Sequence, residues 1–270
     1  MSKSNIQKGL NEHLNESYKY FEQNQIVGIF LQGSQNYNLN LPNSDIDTKL
    51  IITPSFKSLA LNKKPISTTH IKENQEHIDW KDVRLYVETF RKQNLNFLEI
   101  LFTDYFWINP LYAQEWNKLI EKREEIAHMN PVKAVKSMYG CALTEYKNIE
   151  RFSPTHAETF KQHNYNPKAI SNLVRMKNYL ERYIAGESYK ECMIPKGQTL
   201  KLILDLKLGK YSLEEVREIA DENMRQMDII TQNFISNNVE NENENVKELL
   251  DDVLYNIMKI SIEKEILNDN

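Results

Sequence analysis

The stretch 28-GIFLQGSQNYNLNLPNSDIDTKLIITP-54 decides how the rest of the chain is read. Residues 26 to 31 form a short run that is apolar throughout, as a buried strand requires. Gly33 and Ser34 end that run. Glycine lets an anion approach the backbone closely, and a serine hydroxyl with exposed N–H groups can donate to it, so a phosphate seat is expected at this turn. Beyond a polar loop, Ile46, Thr48, Leu50 and Ile52 alternate with Asp45, Asp47, Lys49 and Ile51, which predicts a second strand ending at Pro54. Asp45 and Asp47 then project from one face while Ile46 points into the core. Two carboxylates side by side repel each other, and a shared hard cation is the usual resolution. Two Mg²⁺ ions there, with Mn²⁺ as a substitute, would activate an attacking hydroxyl, bridge triphosphate oxygens and neutralise a leaving pyrophosphate.

Working outward, Ile6, Leu10, Leu14 and Phe21 fall near helical spacing across residues 3 to 23. The segment 66 to 81 reads as further strands, and Val83, Leu85, Tyr86 and Phe90 read as a helix beginning after Asp82. Past about residue 110 every periodic segment is helical. Asn130 before Pro131 and Asn166 before Pro167 are N-cap signals, and Ser212 with Glu215 makes a capping box. That box marks GKYSLEE as a helix start and not a phosphate-binding P-loop. The Asn- and Glu-rich stretch 237 to 246 reads as a solvated connector. The expected fold class is α/β (α+β): a small mixed, twisted sheet with flanking helices over residues 1–108, then a helical C-terminal domain over 109–270.

The chain has 270 residues, 40% hydrophobic and 27% charged, with a net charge of -4. Its mean hydropathy is -0.62. This balance argues against a surface built wholly as a nucleic-acid cradle, although 161 to 190 is locally basic. The N-terminus lacks an apolar h-region and no stretch has the length of a membrane span, so a cytoplasmic protein without a membrane partner is expected. Cys141 and Cys192 lie far apart with no CxxC, which suggests neither a disulfide framework nor a zinc site.

The segment 33 to 47 resembles the GS…DxD signature of the DNA polymerase β nucleotidyltransferase superfamily. More narrowly it resembles the bacterial and phage branch typified by RNA-ligase-associated, RNA-repair nucleotidyltransferases. That branch reads GSxxYG before SDxD, and Asn38 here replaces the last glycine; asparagine is the side chain that best tolerates a left-handed backbone. The likeness continues through WKDVRLYVETFRKQNLNFLEILF, where the branch has a segment of the form NxxLExL and this chain has Asn96, Phe97, Leu98, Glu99 and Leu101.

The resemblance implies a sheet of the nucleotidyltransferase type whose C-terminal helical domain closes over the nucleotide. It implies a third metal-binding carboxylate just before a helix, which falls on Asp82, with Asp79 as the competitor and a plain helix N-cap as the alternative role for Asp82. The catalytic and metal-binding set is then Asp45, Asp47 and Asp82. Glu99, inside an apolar run, is expected to be a buried partner for a Lys or Arg. In YNPKAISNLVRMKNYLERYIAGE, Lys168, Arg175 and Arg182 recur every seven residues on one stripe, and the branch carries a lysine and an arginine at that spacing. Gly33, Ser34, Lys168 and Arg175 are thus the implied nucleotide-binding residues. The implied reaction moves a nucleoside monophosphate from an NTP to an acceptor hydroxyl with release of pyrophosphate. An RNA 3′ end is the favoured acceptor; a protein, a small molecule, or a non-catalytic NTP-binding module is the alternative. His70 and His77 are expected to be structural, since metal activation makes a separate base unnecessary.

Overall fold

The sheet is built on a run buried up to its last residue, 26 to 32, and on residues 77 to 82, where buried and half-buried positions alternate. The computed structural model describes residues 3–41, 44–153 and 157–268. Its strands are β1 (Ile26–Gln32), β2 (Asp47–Ile52), β3 (Ser67–Ile71), β4 (His77–Asp82) and β5 (Phe106–Ile108), in the order β3-β4-β2-β1-β5. β1 runs antiparallel to β2 and β5, and β3 antiparallel to β4. β2 and β4 are parallel. A parallel neighbour needs a crossover, which residues 53 to 76 provide.

The described α-helices are, in order, α1 (Lys3–Ser17), α2 (Phe56–Ala60), α3 (Val83–Arg91), α4 (Leu95–Leu98), α5 (Ala113–Glu121), α6 (Arg123–Ala127), α7 (Pro131–Asn148) and α8 (Ala157–His163). They continue with α9 (Pro167–Ile184), α10 (Tyr189–Met193), α11 (Gly197–Lys207), α12 (Leu213–Asn237) and α13 (Glu244–Asn268). The fold class is therefore mixed α/β, with one mixed sheet among many helices. Among the described residues no helix is long and apolar enough to cross a membrane.

One face of the sheet is closed by α1, whose Leu10 and Leu14 pack with Ile29, Leu50, Ile52, Ile78 and Trp80. Ile46 joins Ile6 and Leu31 in the same direction. Gly9 makes room for it: a Cβ at that position would collide with Cδ1 of Ile46. The opposite face carries Phe30, 4.9 Å from Trp116 of α5, and the lysines of β2 and β4 beneath Phe97.

The chain divides into two compact units. Unit 1 comprises Met1–Asn36, Asn40–Met129 and Glu242–Asn270; unit 2 comprises Tyr37–Leu39 and Asn130–Asn241. In this division α5, α6 and α13 belong with the sheet. The reason lies in α13, whose Val246, Leu250, Val253 and Ile257 are buried. Its polar residues also bond into unit 1: Ser261 Oγ donates to Thr53 Oγ1 at 2.7 Å, and Asn256 Nδ2 to Glu115 at 3.1 Å. In unit 2, α7 begins at Asn130, whose side chain accepts from the Lys133 N–H, and α9 at Asn166, whose side chain accepts from Lys168 and Ala169. The Ser212–Glu215 capping box opens α12. The 238–243 connector is non-helical, as its composition predicts.

Candidate functional site

The site is built at one end of the sheet. β1 ends at Gln32, whose Cα partner is Asp47 at the start of β2, so the turn and the first acids lie at the same edge. Gly33 has φ +82°, a conformation that costs a residue with a Cβ about 1–2 kcal/mol. A Cβ there would meet nothing within 4 Å, which leaves the approach to the turn open. Residues 33 to 37 form one 3₁₀ turn. Asn36 holds it, donating from Nδ2 to the Leu31 carbonyl at 3.0 Å and accepting from Thr103 Oγ1 at 2.8 Å. Asn38 takes φ +58°, the left-handed backbone that asparagine tolerates best. Beside Ser34, the amide nitrogen of Gln35 is buried with no hydrogen-bond partner. A buried donor left without an acceptor is costly, and a phosphate oxygen would satisfy it. Nothing in the spacing of the motif singled out Gln35.

Burial of Ile46 turns its two flanking acids away from the core. Asp45 is exposed ahead of β2, and Asp47 is half-buried at its first position. The Asp47 carboxylate accepts the His77 N–H at 3.0 Å, with the His77 ring Nδ1 3.7 Å away. On β4, Asp79 pairs in register with Lys49, two residues beyond Asp47, so Asp47 and Asp79 are diagonal neighbours on one face. Asp79 is held by neutral donors: Thr69 Oγ1 at 2.6 Å and Gln32 Nε2 at 3.1 Å. Both strands repeat the order acid, core residue, lysine, as Asp47-Thr48-Lys49 and Asp79-Trp80-Lys81. Lys49 is fully buried, donates to the Asn96 carbonyl and pairs with Glu99 at 3.2 Å. Burial draws its ammonium down to about 7, against the pull of Asp79. Glu99 is therefore the buried partner of a lysine that its apolar surroundings foretell. Tyr86 Oη, also buried, has no hydrogen-bond partner; burial and then the charge of Asp79 raise its pKa well above the ordinary value, so it remains a donor.

Asp82 is not brought to this end. It pairs with Ile52 at the far end of β2, five residues beyond His77 and hence about 16 Å along the strand. Its parity sets it with Ile78 and Trp80, on the face that α1 covers. There it caps α3, accepting the Arg84 N–H at 2.9 Å, and takes the Arg84 guanidinium at 2.9 Å (Nε) and 2.6 Å (Nη2). Asp82, expected as the third metal ligand, thus serves as the helix N-cap that was its alternative role, and Asp79 is the carboxylate that shares a face with Asp47. Alternation carried the signal, since a strand that buries Ile78 and Trp80 presents 77, 79 and 81 on its other side.

No family model matches the sequence, and no curated protein matches it.

Among the described residues, no three His, Cys, Asp or Glu side chains stand together as a metal-binding group. The hydrogen bonds just given account for this at Asp47 and Asp79, whose oxygens point along the sheet to His77, Thr69 and Gln32. The backbone register nevertheless puts Asp47 and Asp79 on one face, with Asp45 just ahead of it. His70 stacks on Trp80 at 4.7 Å, a structural role.

The basic helix of unit 2 divides the stripe expected of it. Lys168 is exposed in the first turn of α9. Arg175 is buried, its guanidinium 4.2 Å over the Tyr37 ring. Arg182 is committed elsewhere, to Glu187 at 2.6 Å and to the Ile194 carbonyl at 2.8 Å. Residue Lys207 of α11, which spacing did not reveal, donates to the Leu39 carbonyl at 2.6 Å.

Proposed function

We propose that this protein is a metal-dependent nucleotidyltransferase of the DNA polymerase β type, moving a nucleoside monophosphate from an NTP to an acceptor hydroxyl. The acceptor oxygen bonds to the α-phosphorus as the bond to the β-phosphate oxygen breaks; pyrophosphate leaves and the acceptor proton passes to solvent. The observation that carries the reading is the register at one sheet edge. Asp45 and Asp47, turned outward by buried Ile46, adjoin the Gly33 turn, and Asp79 follows on the same face.

In this scheme Asp45, Asp47 and Asp79 are the metal-binding acids, with Asp79 taking the place first given to Asp82. Two Mg²⁺ ions, or Mn²⁺, would activate the acceptor hydroxyl and neutralise charge on the departing pyrophosphate. Gly33 and Ser34 seat the phosphates through backbone and hydroxyl donors, and buried Gln35 adds an amide donor beside them. Lys168 and Arg175 are proposed as phosphate-binding residues on the strength of the motif and of their own surroundings. The favoured acceptor is an RNA 3′ end, for which the support is the resemblance of residues 33 to 47. Incubation with each α-labelled NTP, Mg²⁺ or Mn²⁺, and a panel of tRNA, oligonucleotide and protein acceptors tests the proposal. Label should appear on one acceptor class with stoichiometric pyrophosphate; NTP binding without pyrophosphate release would identify a non-catalytic module instead.

A further inference from the structure

Positive charge also collects in unit 1, at the end of the sheet opposite Asp45 and Asp47. The crossover between β2 and β4 carries Lys57, Lys63, Lys64 and Lys72 between residues 54 and 72, with no Asp or Glu in that span. Lys72 is paired with Glu76 at 3.0 Å, whereas Lys57, Lys63 and Lys64 are exposed. Lys63 and Lys64 line a cavity of about 80 Å³ together with Arg84, Asp82, Phe21 and Ile66. Asp82 is the one acid among its described lining residues, and Arg84 already holds it at 2.6 Å. Among the described residues no carboxylate forms an ion pair with Lys63 or Lys64, so the recess keeps an excess of positive charge. Asp82 pairs in register with Ile52, which places the recess about 16 Å along β2 from Asp47 and separates it from the transfer edge.

An anion balances such a cluster, and the size of the cavity restricts which one. Sites that enclose a whole small ligand run to about 300–1,000 Å³, so this recess takes a single group of a larger molecule that lies outside it. The surface beside it shows what the rest of that molecule is. Tyr20, next to Phe21 in the chain, is 54% exposed and lies 4.9 Å from Trp80 and 5.0 Å from His70. Phe21 meets the same Trp80 edge-on at 5.0 Å, so the recess and the Tyr20 ring flank one indole. Cations that take a backbone phosphate beside an exposed ring that takes a base are the means by which single strands are bound. A lipid surface fits less well, because α2 has five residues, about 7.5 Å of helix, and offers no amphipathic face to lie in an interface. We infer that Lys63, Lys64, Arg84 and Tyr20 form a binding surface for single-stranded RNA, with one phosphodiester in the recess and one base on Tyr20. The choice of RNA rests on the acceptor proposed above; the surface holds that strand away from its reacting end and requires no turnover.

The test uses the full chain in EDTA, where no transfer can occur, and follows a fluorescein-labelled single-stranded RNA of about 15 nucleotides by anisotropy. The RNA should bind, and more weakly as salt rises. A Lys63→Met, Lys64→Met double variant should bind about tenfold more weakly with a shallower salt dependence, whereas Tyr20→Ala should lose about tenfold with the salt dependence unchanged. Lys259→Met, at an exposed position of α13, should match the native chain. Acetylation footprinting of the native chain gives a reading independent of any variant's folding: the RNA should shield Lys63 and Lys64 and not Lys259. Absence of RNA binding, equal affinity in the double variant and Lys259→Met, or shielding of the two lysines by phosphatidylserine vesicles or orthophosphate but not by the RNA would overturn the inference. Failure of nucleotidyl transfer in the separate labelled-NTP assay would leave these binding results standing.

Discussion

Asp79 and Asp82 sit three residues apart on the same strand, and they have opposite fates. Asp82 is buried, caps a helix and is gripped by a guanidinium, so its charge is already balanced. Asp79 is hydrogen-bonded by a hydroxyl and an amide, while the Lys49 and Lys81 ammonium groups act on it through charge alone. A carboxylate in the first condition is spent on the fold; one in the second is oriented by neutral donors. The contrast teaches that the donor type around an acid says more about its availability than its nearness to a motif does.

The contrast breaks most readily at the level of turnover. Asp79→Asn should lower nucleotidyl transfer by about 10³-fold, since several kcal/mol of metal-borne stabilisation depend on such a ligand, while Asp82→Asn should leave kcat largely intact. Steady-state kinetics on the two variants decides it, and the reverse pattern would return the third position to Asp82. Next in size is the lysine behind the acids. Lys49→Met leaves Glu99 buried without its cation and should cost about 3–5 kcal/mol in urea denaturation, most of which a second change, Glu99→Leu, should restore. Asp82→Ala should cost about 1–3 kcal/mol through the lost cap and ion pair, measured the same way.

The smallest effect concerns pH. His13 is buried between Thr48 Oγ1 at 2.9 Å and Glu76 at 3.0 Å, and burial lowers its pKa below the ordinary 6.5. Folded His13 thus stays neutral where the unfolded chain takes up a proton, so stability falls as pH drops below 6.5. Glu76, which also bonds Lys72 and Asn74, is lowered to about 2; its contribution is fully present above the ordinary 4.5 and is lost as pH falls from there towards 2. Thermal melts from pH 7 to pH 5 should show a decline that His13→Gln flattens, whereas an unchanged slope in that variant would remove His13 from the account.

Much of unit 1 was legible because its strands are marked by a continuous apolar run or by alternation. The run 26 to 31, the Ile46–Ile52 pattern and the Asn and Ser caps all report local physics that sequence records directly. The left-handed turn at Asn38 and the pairing of buried Glu99 were legible for the same reason. What escaped is non-local. Strand pairing is needed to see Asp79 beside Asp47, and β5 is too short for periodicity to mark. The half-exposed pattern of α13 gives no hint that its stripe of Val246, Leu250, Val253 and Ile257 returns to unit 1.

The most direct test of the whole account is transfer of α-labelled NMP by the native chain beside a double Asp45→Ala, Asp47→Ala variant, in Mg²⁺ and with folding checked by circular dichroism. The account predicts label on an acceptor with the native chain and none with the variant. Undiminished transfer by the variant would contradict it.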